Sequence, residues 1–523
     1  ILWFDLVINI TKSKTDKPNR TFIITDRTDR STPTLLLPIV LSFLLLPAKN
    51  RKNVMPPGPL GMPLIGNLHQ FDSLTPHLYF WKLSKKYGKI FSLKLGSATV
   101  IVVSSAKLAK EVTKIQDLAF CSRPPILGQQ KLSYSGLDIG FAPYNDYWRE
   151  MRKICVVHLF SLKKVQSFSP IREDEVFRMV NKISKQAAAS QITNLSNIVI
   201  SLTSTIICRV AFGIRYDEEA HERRRFDEVL AVTQEMMAGF FVSDYFPFLR
   251  WLDKLSGSIT RLEKNFKELD EFYEELIEQH LNPKKPQSME GDILDLLLQL
   301  RKEQSTPIDL TLDNIKAILM NILVGGTDTG AAAIVWGMTA LIKNPKAMKQ
   351  VQTEIRESVG SKKGMVNEDD IQNLPYLKAV IKETFRLYPP VPLLVPRETM
   401  HKSILEGYEI QPKTIIHVNS WAIARDPEYW ENPEEFIPER FFNSNIDFKG
   451  QDFELLPFGA GRRGCPGIAL GVATVELVLS NLLYAFDWEL PCGVNIQDID
   501  TDVLPGLTMH KKNALCLVPS NYL

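Results

Sequence analysis

The chain has 523 residues, 45% of them hydrophobic, and a formal net charge of +2. This charge gives no reason to expect nucleic acid as a partner. The six cysteines are scattered without a Cys-x-x-Cys pair, which disfavours a structural zinc site and a disulfide scaffold. Because no low-complexity linker divides the sequence, we expect one large domain over residues 60–523.

The first 59 residues precede this domain. Residues 1–34 show no amphipathic period; we assign them no function, and whether this extension is native or an artefact stays open. Residues 35–48 are almost wholly apolar and are followed by basic residues, which indicates a shortened signal anchor, since a bilayer span needs about 20 residues. A buried strand or a removed signal peptide is the alternative. Residues 49–59, basic and then proline-rich, predict a stiff hinge.

Short β-rich segments bounded by turn residues occur at 93–103, 404–411 and 414–419. Helical hydrophobic periodicity is strong over residues 312–343, which predicts one long, largely buried helix. We therefore predict a mainly α protein with small β-sheets (α+β).

The strongest helical pattern covers residues 312–343, with Thr311 as the N-cap and Asn344-Pro345 as the end. Its centre reads Gly-Gly-Thr-Asp-Thr at 325–329. Each glycine costs about 1 kcal/mol relative to Ala inside a helix, and threonine hydroxyls compete for backbone carbonyls. We predict that the helix bends or opens here and leaves a groove. The alternative is that the glycines admit a neighbouring helix.

Residues 458–467 read Phe-Gly-Ala-Gly-Arg-Arg-Gly-Cys-Pro-Gly, just before an apolar helical segment. A helix N-terminus and nearby cations lower the pKa of a thiol, so Cys465 is a candidate thiolate. Glycines let the backbone approach a flat ligand, and arginines match carboxylates. The run favours a haem-thiolate site; the alternative is a structural cysteine beside a glycine-rich turn.

This run resembles the signature of the cytochrome P-450 superfamily, Phe-x-x-Gly-x-Arg/His-x-Cys-x-Gly. Three further family motifs follow the expected order: Trp-x-x-x-Arg at 148–152, Glu-x-x-Arg at 383–386 and Pro-Glu-Arg-Phe at 438–441. The resemblance extends over about residues 54–520. Details at 61–70 and 120–124 are similar to plant microsomal members of the 71 clan.

The resemblance implies the cytochrome P-450 fold, with haem b (iron protoporphyrin IX) between the long central helix and the loop and helix of the cysteine ligand. It implies that residues 60–523 are an NADPH- and O2-dependent monooxygenase that hydroxylates or otherwise oxidises a small to medium hydrophobic plant specialised metabolite. A haem-thiolate isomerase or dehydratase that needs no oxygen is the alternative.

The resemblance also implies partners and a location. NADPH acts indirectly, through a diflavin NADPH-cytochrome reductase, and the other partners are membrane lipid, the hydrophobic substrate and O2. The expected location is the endoplasmic reticulum membrane with the haem domain facing the cytosol. An aromatic stretch at 240–251 predicts a second, weaker membrane contact, unless its rings pack into the core. Candidates for docking the reductase are Arg149, Lys153, Lys163 and Lys164.

Individual residues receive roles from the same resemblance. Cys465 is the axial ligand of the haem iron, Asp328 and Thr329 organise proton delivery as the catalytic pair, and a buried structural network joins Glu383, Arg386 and Arg440. Further haem contacts, including propionate contacts from the arginines and the indole, are expected from Trp148, Arg152, Arg397, Arg463, Phe458, Gly459 and Gly467. The expected apolar substrate pocket contains Ile126, Leu127, Leu132, Phe240, Ile322, Gly326, Leu393, Leu394 and Leu507.

Overall fold

A computed structural model of the protein describes residues 55–216, 220–360 and 363–522. The interpretations of residues 1–34 and 35–48, and of the hinge before residue 55, lie outside these described residues.

Helices dominate the described residues, as the sequence predicts. The α-helices are α1 Pro76–Tyr87, α2 Ala106–Lys110, α3 Asp117–Phe120, α4 Leu127–Leu132, α5 Asp146–Ile154, α6 Leu162–Ser167, α7 Ser169–Ala188, α8 Leu195–Phe212, α9 His221–Met237, α10 Val242–Tyr245, α11 Arg250–Leu255, α12 Ser258–Leu281, α13 Ile293–Glu303, α14 Leu312–Lys343, α15 Pro345–Val359, α16 Pro375–Leu387, α17 Ser420–Ile423 and α18 Ile468–Ala485.

The strands form small sheets. They are β1 Ile90–Leu95, β2 Ala98–Val103, β3 Thr193–Asn194, β4 Arg397–Glu398, β5 Ser403–Leu405, β6 Tyr408–Ile410, β7 Ile415–Val418, β8 Phe486–Glu489 and β9 Cys516–Asn521. Strands β1, β2, β5, β6 and β7 lie at the predicted places, whereas β3, β4, β8 and β9 were not predicted. One sheet has the order β1-β2-β7-β4, with β2 and β7 parallel and the other pairs antiparallel. The others have the orders β3-β9-β8 and β5-β6. The predicted mainly α class with small sheets is confirmed.

The central helix α14 has the predicted bounds. Thr311 caps it: its side chain accepts the N–H of Asn314, and the Asn314 side chain accepts the N–H of Thr311. The predicted opening of the ladder at 325–329 is wrong, because the helix continues through this stretch. The Thr329 hydroxyl donates to the Gly325 carbonyl within the intact helix, at 2.7 Å. Packing against α8 and α18 outweighs the intrinsic cost of two glycines.

The two central glycines do different things. A Cβ atom at Gly326 would lie 2.6 Å from Cδ1 of Ile207, so this glycine lets α8 cross close to α14. Gly325 is exposed and has nothing within 4 Å of its missing Cβ. The alternative, that a glycine admits a neighbouring helix, therefore holds for Gly326. Gly325 instead leaves open space beside a helix that is otherwise largely buried.

Glu383, Arg386 and Arg440 come together as expected. Arg386 donates to both carboxylate oxygens of Glu383, at 2.7 and 2.8 Å, and Arg440 Nε lies 3.1 Å from Glu383 Oε1. Glu383 and Arg386 have no exposed side-chain surface. Because removing one partner would leave an uncompensated buried charge, the network fixes α16 to the segment that carries Arg440.

Three helices of the described residues are long and apolar enough to cross a bilayer, judged by length and composition alone. They are α8, α14 and α18, and 61 to 67% of each apolar window is buried inside the protein. Their hydrophobicity is thus used in the core around the central helix.

Candidate active site

The cysteine loop is held by close backbone contacts. The N–H of Cys465 donates to the Phe458 carbonyl at 2.9 Å, and α18 begins three residues after the cysteine. Gly459 and Gly461 both have φ of +68°, which favours glycine. A Cβ atom at Gly461 would lie 1.8 Å from the Thr113 carbonyl oxygen, so the loop is pressed against residues 111–115.

Cys465 combines free surface with burial. Its side chain has accessible surface, yet burial by surrounding protein raises the pKa of its thiol. The free surface of the sulfur therefore faces an interior cleft. The Gly467 N–H and the Arg152 guanidinium lower this pKa, but less than burial raises it. The cation and the helix N-terminus act in the expected direction, and desolvation acts against them with the larger effect.

Basic side chains surround the loop. Burial, with repulsion from Arg397, lowers the pKa of Arg463 to about 9. The guanidinium carbon of Arg463 lies 4.0 Å from the ring centre of Trp148. The indole N–H of Trp148 donates to the Ile139 carbonyl at 2.9 Å, and Arg152 donates to the Gly464 carbonyl at 2.6 Å. Trp148 and Arg152 thus already have backbone acceptors, and α5 is fixed to the cysteine loop.

Two charged residues of this cluster were missed by sequence reasoning. Asp117 is buried and accepts from Arg397 at 2.8 Å and from the backbone N–H of Arg462 at 2.9 Å. Arg123 is also buried and donates to the carbonyls of Gly140, Val395 and Pro396. Arg123 lies in the segment 120–124 that resembles plant relatives, which was the available signal; nothing near Asp117 distinguished it.

A second buried acid connects the cluster to the central helix. Asn321 of α14 donates to Oδ2 of Asp138 at 2.8 Å, and its own Oδ1 accepts the N–H groups of Ile139 and Gly140 at 3.0 Å. The Ile139 carbonyl receives the Trp148 indole N–H. The loop beside the arginines is therefore positioned by α14.

The central helix presents one less buried face. Gly325 is exposed, and Asp328 and Thr329 are partly buried, while the helix on either side is almost wholly buried. Nε2 of His510 lies 3.3 Å from Oδ2 of Asp328. His510 was missed by sequence reasoning, since it is 182 positions away with no motif around it (510 − 328).

The predicted pocket residues divide into two groups. Leu132 is fully buried, Ile322 is nearly so, and a Cβ atom at Gly326 would meet Ile207 of α8. These three residues therefore pack in the core and do not line a pocket. Phe240 is 48% exposed and stacks on Tyr245. The side chains that keep accessible surface while packing on the core clusters are Leu127, Leu393, Leu394 and Leu507, and Ile126 is also partly exposed.

A polar contact fixes the start of α4, which carries two of the predicted pocket residues, Leu127 and Leu132. Oδ1 of Asp244 accepts the N–H of Leu127 at 2.9 Å, which ties the start of α4 to α10. Burial raises the pKa of Asp244 to about 7.

These residues fit a haem. Cys465 keeps accessible surface although protein surrounds it. A flat dianionic ligand would be stabilised by guanidinium groups that are buried close to one another, those of Arg123, Arg397 and Arg463. Gly467, whose missing Cβ would lie 3.9 Å from the sulfur, leaves room beside the ligand atom.

The comparisons with known proteins agree with this chemistry. The family described as Cytochrome P450 matches residues 56–518. The chain belongs to the cytochrome P450 family. It is 51% identical to a 6,7,8-trihydroxycoumarin synthase and to a 5-OH-xanthotoxin synthase, both of Pastinaca sativa, over 94% of this chain and 98% of each relative. It is 47% identical to Cytochrome P450 71B10 of Arabidopsis thaliana, over 92% of this chain and 97% of the relative.

Solved structures show the same fold. A zebra fish cytochrome P450 with progesterone matches with a TM-score of 0.74 and 26% identity, covering 85% of this chain and 99% of that one. A second structure, with abiraterone, has a TM-score of 0.72 and 26% identity and covers 86% of this chain and 100% of the other.

Family membership confirms several expectations. This cytochrome P450 is a plant-type monooxygenase of the 71 clan; it uses haem b, receives electrons from NADPH through a reductase, and oxidises a hydrophobic specialised metabolite with O2. The isomerase or dehydratase alternative is not favoured.

The contact between Gly461 and residue 113 generates a stability prediction. Gly461→Ala would force a Cβ atom into the Thr113 carbonyl at a positive φ, and we expect it to cost about 3 kcal/mol or more and to weaken haem retention. Unfolding of the haem-loaded protein in guanidinium, followed by haem absorbance, measures this. Gly471→Ala is the control, because its added Cβ would lie 3.9 Å from Phe458 and should leave the midpoint near that of the parent. Equal midpoints for the two variants would contradict the prediction.

Proposed function

We propose that this cytochrome P450 hydroxylates a coumarin or a similarly flat, apolar aromatic lactone. The observation that carries this proposal is the 51% identity, over nearly the whole chain, to relatives named for trihydroxycoumarin and 5-OH-xanthotoxin synthesis. A 49% identical relative of the same organism is named xanthotoxol synthase. The partly exposed apolar side chains, Leu127, Leu393, Leu394 and Leu507, suit a flat hydrophobic substrate.

Binding of substrate is the direct test. We expect xanthotoxin and simple hydroxycoumarins, added to the ferric protein, to shift the haem absorption, and at least one of them to be hydroxylated when reductase and NADPH are supplied. A terpene of similar size serves as the comparison compound. A shift and product with the terpene but with no coumarin would overturn the substrate class while leaving the reaction class in place.

We also propose the roles of the site residues. Cys465 binds the iron, with Phe458, Gly459 and Gly467 shaping its loop. Arg152, Arg397 and Arg463 would hold the haem propionates, and Trp148, whose one N–H is taken by the Ile139 carbonyl, would support Arg463 with its ring. The network of Glu383, Arg386 and Arg440 supports this core. Bound haem supplies the activation of dioxygen. Asp328 takes up protons at its carboxylate, and the hydroxyl of Thr329 passes them on towards the place where dioxygen would bind.

The proton route predicts a change in coupling. Thr329→Ala removes the hydroxyl that donates to Gly325, and we expect haem and substrate to bind as in the parent while hydrogen peroxide released per NADPH rises about tenfold. Thr339→Ala is the matched control, since Thr339 makes the same hydroxyl bond, to the Val335 carbonyl, in a buried part of the same helix. If both variants release peroxide like the parent, Thr329 passes no proton.

We propose an endoplasmic reticulum membrane location with the haem domain facing the cytosol and membrane lipid as a partner. The support is an exposed apolar surface of Leu60, Leu64, Phe248, Trp251 and Leu255, which we term the apolar rim. The β1–β2 turn joins its two parts: the Gly96 N–H donates to the Ile65 carbonyl, and the Ser97 N–H donates to the Tyr245 carbonyl. Patches of this kind favour an interface with lipid.

Not all of the aromatic stretch 240–251 belongs to this surface. Phe241 is 2% exposed and packs in the core, which is the alternative expected for these rings. Phe246 is partly buried against Leu93 and its neighbours, so Phe248 and Trp251 are the better sites for substitution.

Vesicle binding tests the apolar rim. In a chain that starts at residue 55, we expect Phe248→Ser with Trp251→Ser to lower partitioning onto phosphatidylcholine vesicles about tenfold or more, because two large apolar side chains leave the interface. Phe177→Ser with Leu162→Ser is the control, since it removes two exposed apolar side chains outside the rim. Equal loss in both variants, or no binding before substitution, would contradict the proposal.

For electron delivery we propose a diflavin NADPH-cytochrome reductase that docks on exposed basic residues near α5 and α6. Lys153 and Lys163 are exposed, and Arg149 pairs with Asp146 at the surface. Lys164 instead donates to the Gly291 carbonyl and is partly buried, so it drops out of the docking set.

A further inference from the structure

A row of residues on α14 contacts the C-terminal loop 503–511. Asp328, Ala332 and Trp336 follow one another at spacings of four, so they form one row on the helix surface. The Trp336 indole N–H donates to the Met509 carbonyl at 2.7 Å, and the Met509 side chain packs against Ala332 and Trp336. The next residue, His510, reaches the first member of the row, Asp328.

The main chain fixes the place of His510. Its carbonyl accepts the Leu504 N–H at 2.9 Å, and its own N–H donates to the Thr508 carbonyl at 3.1 Å. Met509 is held as well, because its N–H donates to the Pro390 carbonyl at 2.7 Å. Backbone hydrogen bonds therefore hold the main chain of His510 at the place from which its imidazole reaches Asp328.

The charged and polar groups next to His510 and Asp328 have other partners. Within the described part of the chain, the basic side chain close to the Asp328 carboxylate is His510, whose Nε2 lies 3.3 Å from Oδ2. Lys511, the neighbouring cation, is bonded to Asp500 at 2.9 Å. The hydroxyl of Thr329 is directed at the Gly325 carbonyl. His510 and Asp328 are 23% and 16% exposed, so solvent screens this pair less than a surface pair.

We propose that His510 is a positioning residue for the monooxygenase reaction: its Nε2–H holds the Asp328 carboxylate in the orientation from which a proton passes to Thr329. The inference rests on the proposed proton route through Asp328 and Thr329. Without a partner the carboxylate samples other rotamers, and a proton-transfer group that is misplaced by a fraction of an ångström loses efficiency. The same loop contains Leu507. A substrate that contacts Leu507 would therefore also contact the loop that positions the Asp328 carboxylate.

The test compares five variants in the full, haem-loaded chain. His510→Leu removes the donor; His510→Gln keeps an amide N–H near the Nε2 position; Asp328→Asn removes the acid; and Lys511→Leu is the control, since it breaks a loop ion pair that does not touch Asp328. His510→Asn is a second variant that removes the donor from the Nε2 position, because the asparagine side chain is too short to reach it. It serves in case the leucine variant does not fold. The first readout needs no turnover: the infrared C–O stretch of carbon monoxide bound to the reduced haem, which reports the polar groups nearby. The second is hydrogen peroxide released per NADPH with a bound coumarin.

We expect His510→Leu and His510→Asn to change the C–O stretch as Asp328→Asn does and to raise peroxide release about fivefold. His510→Gln should stay within about twofold of the parent, as should Lys511→Leu. The rescue by glutamine separates positioning from a general structural role. Parent-like behaviour of both donor-removing variants, with Asp328→Asn uncoupled, overturns the inference about His510 alone. Parent-like behaviour of Asp328→Asn shows instead that the proposed proton route fails, and the inference falls with it.

Discussion

One buried carboxylate, that of Asp117, holds the cysteine loop against the sheet. Oδ1 accepts from Arg397 of β4, and Oδ2 accepts the backbone N–H of Arg462, three residues before the cysteine. Because Arg397 is buried, removing the acid would leave its guanidinium without a carboxylate partner, at a cost of about 3 to 5 kcal/mol. The position of Cys465 therefore depends on an acid in α3, and Gly461 lets the loop approach closely enough for this bond to form.

The central helix forms the second part of the site and is coupled to the first. Its glycine pair admits α8 on one side, at Gly326, and leaves open space on the other, at Gly325, without interrupting the helix. Asn321, one turn earlier, holds the loop whose Ile139 carbonyl receives the Trp148 indole. A shift of α14 would consequently move the aromatic ring against which Arg463 packs. Packing and hydrogen bonds, more than local helix propensity, set the geometry here.

The relatives differ in the products for which they are named. Two proteins of one plant are each 51% identical to this chain, yet one is named for a trihydroxycoumarin and the other for 5-OH-xanthotoxin. Similarity to this chain therefore gives the fold and the reaction class but does not by itself give the product. In this chain the predicted pocket residues that keep accessible surface lie in separate segments, such as Leu127 in α4 and Leu507 in the C-terminal loop. Small changes in loop position would therefore alter the shape of the pocket.

The sequence by itself determined the helix bounds at 312–343, the strands near 93–103 and 404–419, the association of Glu383 with Arg386 and the family. These follow from local periodicity, caps and ordered motifs. Tertiary structure decided the contacts between distant segments. Gly326 packs on Ile207, Leu132 lies in the core, and Asp117 and His510 join the site. It also decided that burial affects the pKa of Cys465 more than the neighbouring cation does. Such contacts join residues far apart in the chain, and desolvation depends on every neighbour in space, so neither leaves a local pattern in the sequence.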